Sequence, residues 1–302
     1  LLSDLLFKPL HMNRTTAYMS LAEKQNWRCA QPYDALGEQG PKLLYLRKKD
    51  NTMQSAGGLI TTVEDMANWL AFNLNKGAFN GKQLIPAKVV KTAHTGLAKL
   101  DGFGKPYQNI GYALGWANAL YKGEKLLQHD GSFPGFKAHI TMMPEQKLGM
   151  AILTNDRSIG GEVAYAISQF VYDWWLSKGQ EKSTVEAVIK KIRRKIDQIK
   201  KRRSAKKRKQ AQMKWNLTEP LQSYTGTYFS KVMGKTIVSI INGALKITHG
   251  NLHSLALPAN KPNTVGVEMV PQRIWKASFE IQPGKTAQKI ILDGDTFVRV
   301  GK

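Results

Sequence analysis

A single cysteine, Cys29, occurs in 302 residues, which excludes an internal disulfide and a thiolate metal cluster. Nothing near it in the sequence would activate it, so it reads as a passive side chain. The histidines at 11, 94, 139, 249 and 253 show no metal-ligand spacing, and structural roles are expected for them. Neither a metal nor an organic cofactor is expected. No apolar run approaches the roughly 18 residues that a membrane span needs. Acidic residues are scarce: 22 Asp and Glu stand against 45 Lys and Arg, for a net charge of +23. The excess is local. Between Lys190 and Lys214 there are fourteen basic residues and one acid, Asp197, so this segment carries +13 and the other 277 residues about +10. The chain also opens without an initiator Met or a signal-peptide pattern. Leu1 to Phe7 already has amphipathic helix spacing, so the chain is expected to begin inside a longer protein.

What is present is enough for two domains and a sizeable core, with 42% hydrophobic residues. The stretch that organises the rest is Gln128-His129-Asp130-Gly131-Ser132-Phe133-Pro134-Gly135-Phe136. Leu126-Leu127 leads in as a strand, and Ala138 to Met143 leads out as another. A turn at Pro144-Glu145 then precedes Gly149 to Thr154, completing a hairpin. A histidine followed by small residues at a strand end leaves backbone N–H groups uncovered beside a titratable ring. That combination suits charge stabilisation during acyl transfer. A lone His-x-Gly is also the sequence of an ordinary turn.

Along the chain, Leu1 to Phe7 reads as a helix end stopped by Pro9, followed by a polar loop region. Ser55-Ala56-Gly57-Gly58 allows a tight turn or a close backbone approach. Thr61 with Glu64 matches a helix capping box, and Val63, Met66, Ala67, Leu70 and Leu74 mark one helical face ending at Gly77. A second helix follows Pro86. Gly111 to Trp116 reads as an aromatic, glycine-rich strand, with Tyr121 to Lys125 as its turn. Val163, Ala166, Ile167, Phe170, Val171 and Trp174 trace an amphipathic helix, most of whose aromatics read as core rather than ligand site.

Four patterns in this order resemble the serine β-lactamase-like family, which includes class C β-lactamases, D-alanyl-D-alanine carboxypeptidases, esterases and D-aminopeptidases. They are Pro9-Leu10-x-Met12-x-x-Thr15, Ala56-Gly57-Gly58-Leu59-Ile60-Thr61-Thr62-x-x-Asp65-Met66, Gly111-Tyr112-x-Leu114-Gly115-Trp116, and His129-Asp130-Gly131-x-x-Pro134-Gly135-Phe136 with Leu153-Thr154-Asn155 after it. The resemblance covers roughly residues 1–178. It implies an acyl-enzyme hydrolase of peptidase S12-like type, located in the periplasm, the cell envelope or outside the cell. Of the family's three motifs only the third is present, as His129-Asp130-Gly131. By the resemblance, His129 hydrogen-bonds the substrate or the catalytic Tyr. Gly131 lets the substrate backbone approach, and the Ser132 N–H is one of two oxyanion donors. The family order puts Ser-x-x-Lys and Tyr-x-Asn upstream of Leu1, so the nucleophile and general base are expected outside this chain. Two literal matches remain. Ser204-Ala205-Lys206-Lys207 follows His129 in a run of Lys and Arg, and Tyr107-Gln108-Asn109 directly precedes the Gly111 strand. Neither stands where the family places its motif. Without a positioned nucleophile and base, covalent acyl transfer has no first step, so this chain alone is expected to be inactive. Histidine in place of the Lys of Lys-Thr-Gly is a poorer carboxylate partner, which favours an esterase, amidase or peptidase over a β-lactamase.

Val185, Val188, Ile189, Ile192, Ile196 and Ile199 give a helix with one apolar stripe; its other face, and everything after Ile199, is basic. One reading is a contact with an anionic membrane or nucleic acid. The other is a solvated connecting helix packing its stripe on a neighbouring domain. No aromatics alternate with the charges before Trp215, so specific single-strand binding has no support. From Asn216 the texture changes to short alternating strands, with candidates at Tyr224–Phe229, Thr236–Ile241, Ala244–Thr248, Ser254–Leu257, Val265–Val270, Ala277–Ile281, Lys289–Leu292 and Thr296–Val300. They predict a small antiparallel barrel. Leu221-x-x-Tyr224-x-Gly226-x-Tyr228 resembles the opening of the lipocalin-like domain appended to many members of the hydrolase family. Such a barrel either binds a ligand or is filled and packs. The expected architecture is thus α+β: an N-terminally truncated β-lactamase-like domain (1–180) with an antiparallel sheet flanked by helices, a basic helical linker (181–215), and a lipocalin-like β domain (216–302). Two functions follow. One is a serine hydrolase acting on an ester, amide or D-amino-acid peptide, with a small molecule or peptide as partner. The alternative is a non-catalytic module that engages an anionic surface through the basic helix.

Overall fold

The structure, a computed structural model, describes residues 1–37, 39–53, 57–100, 106–179 and 185–301. Ser55 and Ala56 of the Ser55–Gly58 stretch, and the expected boundary between 180 and 181, lie outside the described residues. The chain divides into two compact units, Leu1–Asp197 and Gln198–Lys302. As expected, the fold is α+β with an antiparallel sheet flanked by helices, followed by a barrel.

The first unit is built on a five-stranded antiparallel meander in sequence order: β5 (Gln108–Tyr112), β6 (Ala117–Tyr121), β7 (Glu124–Phe133), β8 (Phe136–Met143) and β9 (Leu148–Thr154). Turn chemistry sets its register. Lys122 and Gly123 both take positive φ, 50° and 88°, so a two-residue turn pairs Tyr121 with Glu124. Side chains alternate across β7 and β8. Leu126 and Met143 face Tyr172 of α4 (Gly160–Leu176), whereas Leu127 and Met142 face Leu70 of α2 (Val63–Leu74). All six are at most 5% exposed, so both sheet faces are buried. A third cluster joins Leu10 and Met12 to Phe72 of α2 and Val90 of α3 (Ala87–Ala93). Smaller elements complete the unit: α1 (Met19–Lys24), β1 (Tyr33–Asp34) with β2 (Lys42–Leu43), and β3 (Ala78–Phe79) with β4 (Lys82–Gln83).

Three local expectations need correction. The cap of α2 is Thr62, not Thr61, and its side chain accepts from the Asp65 N–H at 3.2 Å. Thr61 is drawn away by Thr15, whose Oγ1 lies 2.7 Å from its own. The strand read over Gly111–Trp116 stops at Tyr112, because Gly115 turns the chain at φ 82° and the Ala113 N–H donates to the Trp116 carbonyl at 2.7 Å. The opening helix is a single π-helical turn over Ser3–Phe7, with the Lys8 N–H donating to the Ser3 carbonyl. None of its residues is fully buried, Phe7 packs partly against the Leu10–Phe72 cluster, and Leu1, Leu2 and Leu5 are exposed.

The basic segment forms one helix, α5 (Val185–Ala211), with no buried residue, and the division into units falls within it. In the first unit its start is tied to α4 by Lys191 to Gln169 at 3.0 Å and Lys195 to Glu162 at 2.9 Å.

The second unit closes eight antiparallel strands into a barrel: β10 (Gly226–Ser230), β11 (Gly234–Ile241), β12 (Ala244–His249), β13 (Leu252–Leu257), β14 (Thr264–Val270), β15 (Arg273–Glu280), β16 (Lys289–Leu292) and β17 (Asp295–Val300), with β10 bonded to β17. Its interior is filled by Tyr228, Val238, Ile247, Val267, Phe279 and Phe297 among others. The Leu221-x-x-Tyr224-x-Gly226-x-Tyr228 pattern has a physical reason. The Arg299 guanidinium passes under Gly226, where a Cβ would collide with it, to reach the Thr225 carbonyl at 2.6 Å and the Tyr228 hydroxyl at 3.0 Å. Tyr228 donates in turn to the Tyr224 carbonyl at 2.8 Å.

Candidate active site

The His129 motif is not a loop between strands, as the sequence implied, but part of strand β7 itself. β6 ends its pairing at Ala117 with Gln128, so His129 to Phe133 extend past it, bonded only to β8. A two-residue turn, Pro134-Gly135, makes Phe133 and Phe136 the hydrogen-bonded closing pair of the β7–β8 hairpin. Counting back, the backbone groups of Gly131 and His129 bond to β8. Those of Asp130 and Ser132 point the other way, into the space that β6 has vacated. Two N–H donors two residues apart therefore line an open sheet edge, which suits a developing oxyanion.

Side chains alternate on the same strand. His129, on the α2 side, is exposed, and its Nε2 lies 2.9 Å from the Tyr112 hydroxyl at the end of β5. Gly131 shares that face; a Cβ there would come within 3.3 Å of the Ala138 Cβ. Ser132 is exposed. Gly135, at φ 83°, lies so close to Pro32 that any Cβ would overlap it. Beside it, Asn155 donates to the Gln31 carbonyl at 3.1 Å and the Tyr33 N–H donates to the Asn155 carbonyl at 3.1 Å. The Leu153-Thr154-Asn155 pattern thus fastens the Gln31–Tyr33 loop to the tip of the hairpin.

Under the motif, on the α4 side, lies a polar network that the sequence reading missed. Asp130 accepts from the Tyr165 hydroxyl at 2.5 Å and from His139 Nδ1 at 2.9 Å, with Lys137 Nζ 3.8 Å away. His139 is 1% exposed, and its Nε2 lies 3.4 Å from the Tyr107 hydroxyl, which is 2.6 Å from Ser168 Oγ. Burial works to raise the Asp130 pKa, but the bonds from His139 and Tyr165 and the Lys137 charge outweigh it and leave it below the usual carboxylate value. Burial, then the bond to Asp130, raises the Tyr165 phenol. Burial likewise pushes Tyr107 up to about 12. The signal for this network was strand alternation: Asp130 and His139 are cross-strand partners on one face.

The other patterns meet through Asp65. This buried carboxylate accepts from the Arg14 N–H at 2.8 Å and from Thr15 Oγ1 at 2.6 Å, fastening the Pro9–Thr15 segment to the start of α2. Thr16 and Ile60 exchange both backbone bonds, at 3.0 and 2.8 Å, just past Gly57-Gly58. The two literal motif matches lie elsewhere. The Tyr107 hydroxyl is buried on the α4 face, opposite His129, and Ser204 is exposed on α5 in the second unit. Among the described residues, no three His, Cys, Asp or Glu side chains are grouped to hold a metal.

A protein-family model described as Beta-lactamase matches residues 1–168, more than half of the chain. The chain belongs to the beta-lactamase family. Its family stretch contains every residue of the sheet, of the His129 edge and of the Asp65 junction, and ends inside α4. Among curated relatives, Protein flp of Staphylococcus aureus (strain MRSA252) is 29% identical over 154 residues, 49% of this chain and 27% of that protein. Unguisins hydrolase ungD of Aspergillus violaceofuscus (strain CBS 115571) is 27% identical over 113 residues, 34% of this chain and 20% of that one. The chain thus matches about a quarter of the length of these relatives. Among solved structures, the octameric penicillin-binding protein homologue from Pyrococcus abyssi aligns with 98% of this chain and 58% of its own, at TM-score 0.45 and 18% identity. That score supports nothing further about this beta-lactamase-family chain.

Proposed function

We propose that this chain supplies the cleft edge of a serine hydrolase that works through an acyl-enzyme on an ester, an amide or a D-amino-acid peptide. The single observation that supports this most is the aim of the Ser132 N–H into the space past the end of β6, beside an exposed His129. In this reading Ser132 donates to the oxyanion through its backbone. His129, oriented by Tyr112, hydrogen-bonds the substrate or a catalytic Tyr, and Gly131 leaves room for the substrate backbone. Asp130 and its partners hold the edge from behind. The nucleophile and its base come from a Ser-x-x-Lys and a Tyr-x-Asn in residues preceding Leu1 of a longer polypeptide. A histidine at the Lys-Thr-Gly position favours esterase or peptidase chemistry of the S12 type over penicillin hydrolysis. A hydrolase among the relatives, ungD, is consistent with that class. The barrel corresponds to a lipocalin-like appended domain with a packing role, since its interior is filled. The cell envelope or the exterior is the compartment this reading entails.

Labelling with a fluorescent fluorophosphonate tests it. The expected result is a labelled serine in the gene product extended upstream of Leu1 and none in the 302-residue chain. His129→Ala and Gly131→Val should each reduce labelling of the extended form by roughly ten- to a thousandfold. Labelling of the 302-residue chain itself would overturn the assignment.

A further inference from the structure

The second unit carries a feature that the hydrolase chemistry does not use. From Lys200 to Lys209, fewer than three turns of α5 hold Lys200, Lys201, Arg202, Arg203, Lys206, Lys207, Arg208 and Lys209 without an acid. Only the last turn gains from the helix dipole, while the i,i+4 pairs Arg202–Lys206 and Arg203–Lys207 repel one another. None of these side chains is buried. The helix meets the barrel through Lys206, which donates to the Gln272 carbonyl at 3.4 Å, and through Gln210, which donates to the Pro258 carbonyl at 2.7 Å.

Gln272 lies in the β14–β15 turn. In an up-and-down barrel, the β10–β11, β12–β13, β14–β15 and β16–β17 turns share one rim. The β10–β11 turn on that rim ends in an apolar tip. Val232 is 90% exposed and Met233 42%, with Lys231 and Lys235 exposed on either side. Phe229 and its cross-strand neighbour Val298 continue the apolar surface down the wall, both nearly half exposed. Gln210 reaches Pro258 in the β13–β14 connection on the opposite rim, so α5 runs along the wall and its Lys200–Arg203 end leads past the rim that carries Val232 and Met233.

We propose that this rim, with the basic segment of α5, docks on the surface of an anionic phospholipid bilayer. The lysines and arginines pair with lipid phosphates, and Val232 and Met233 enter the boundary between headgroups and acyl chains. A nucleic acid would satisfy the cations but offers nothing to an apolar tip flanked by lysines.

Co-sedimentation of the 302-residue chain with vesicles tests this. The vesicles are phosphatidylcholine with or without roughly 30 mol% phosphatidylglycerol, at low salt and then at raised salt. Binding should require the anionic lipid and weaken steeply with salt. The triple variant K200E/K201E/R202E should bind about a hundredfold more weakly, from the loss of roughly tenfold or less per cation. V232D, at an exposed turn that no core residue contacts, should bind about tenfold more weakly with the salt dependence unchanged. Absence of vesicle binding at low salt, or equal binding by the triple variant, overturns the proposal. So does tighter binding to duplex DNA at equal phosphate concentration with V232D unchanged, which would make the helix a nucleic-acid contact.

Discussion

Replacing Asp130 with alanine removes the acceptor for two hydrogen bonds, from the Tyr165 hydroxyl at 2.5 Å and from His139 Nδ1 at 2.9 Å. Hydrogen bonds to a charged group contribute about 1.5–3 kcal/mol each, and stranding a buried donor adds desolvation cost. His139 is 1% exposed, so its N–H would find no water. The Asp130 side chain is 32% exposed, however, which places the total at the low end, about 3–4 kcal/mol. Asp130→Asn keeps one acceptor oxygen and should cost about half as much. Asp130 and its partners all lie in the first of two compact units, so hydrogen exchange resolved by peptide, which reads each unit separately, is the suitable assay. Amides of β7, β8 and α4 should exchange roughly a hundred- to a thousandfold faster in Asp130→Ala, while barrel peptides stay unchanged. The pH dependence has a definite sign. The folded pKa of Asp130 is lowered, so its contribution is present above the unfolded value of about 3.9 and is lost as pH falls through the folded value. Asp130→Asn should remove that part of the acid sensitivity. Exchange within about threefold of wild type in β7 and β8, or equal loss in the barrel, would refute the reasoning.

Further outcomes follow from the same geometry. Gly135→Ala combines φ 83° with an overlap against Pro32 and should cost at least about 3 kcal/mol, whereas Gly123→Ala, at φ 88° with open space around it, should cost about 1 kcal/mol; thermal melts compare the two. Thr62→Ala removes the α2 cap and should cost about 1 kcal/mol, read as faster exchange in the first turn of α2. Tyr107 is raised to about 12 by burial, so the folded state holds its proton more tightly than the unfolded one. Its share of stability is intact below about pH 10 and is lost between there and about pH 12, up to roughly 2–3 kcal/mol, and Tyr107→Phe should remove that share from alkaline unfolding curves of the first unit.

Much of the architecture was legible because it rests on local rules. Period-two alternation marked all eight barrel strands, and Gly77 and Pro86 bracketed α2 and α3. The errors arose where a distant residue competed for a local partner. Thr61 with Glu64 satisfies the local capping pattern, but Thr15, 46 residues away, holds the Thr61 hydroxyl and Thr62 caps the helix instead. The small residues around Gly131 read as a break, yet they continue a strand because β8 supplies an unbroken ladder.

The sequence by itself determined most of the longer strands and helices, several of their turns, and that His129, Gly131 and Ser132 stand together at the end of a strand. Each of these depends on neighbours within a few residues. Only the tertiary structure decided that β6 stops short and opens the Ser132 N–H to the edge. It also decided that Tyr112 reaches His129, and that Asp130 turns inward to His139 and Tyr165. Those outcomes depend on how far each strand runs beside its neighbour and on which helix covers each face, and sequence spacing records neither.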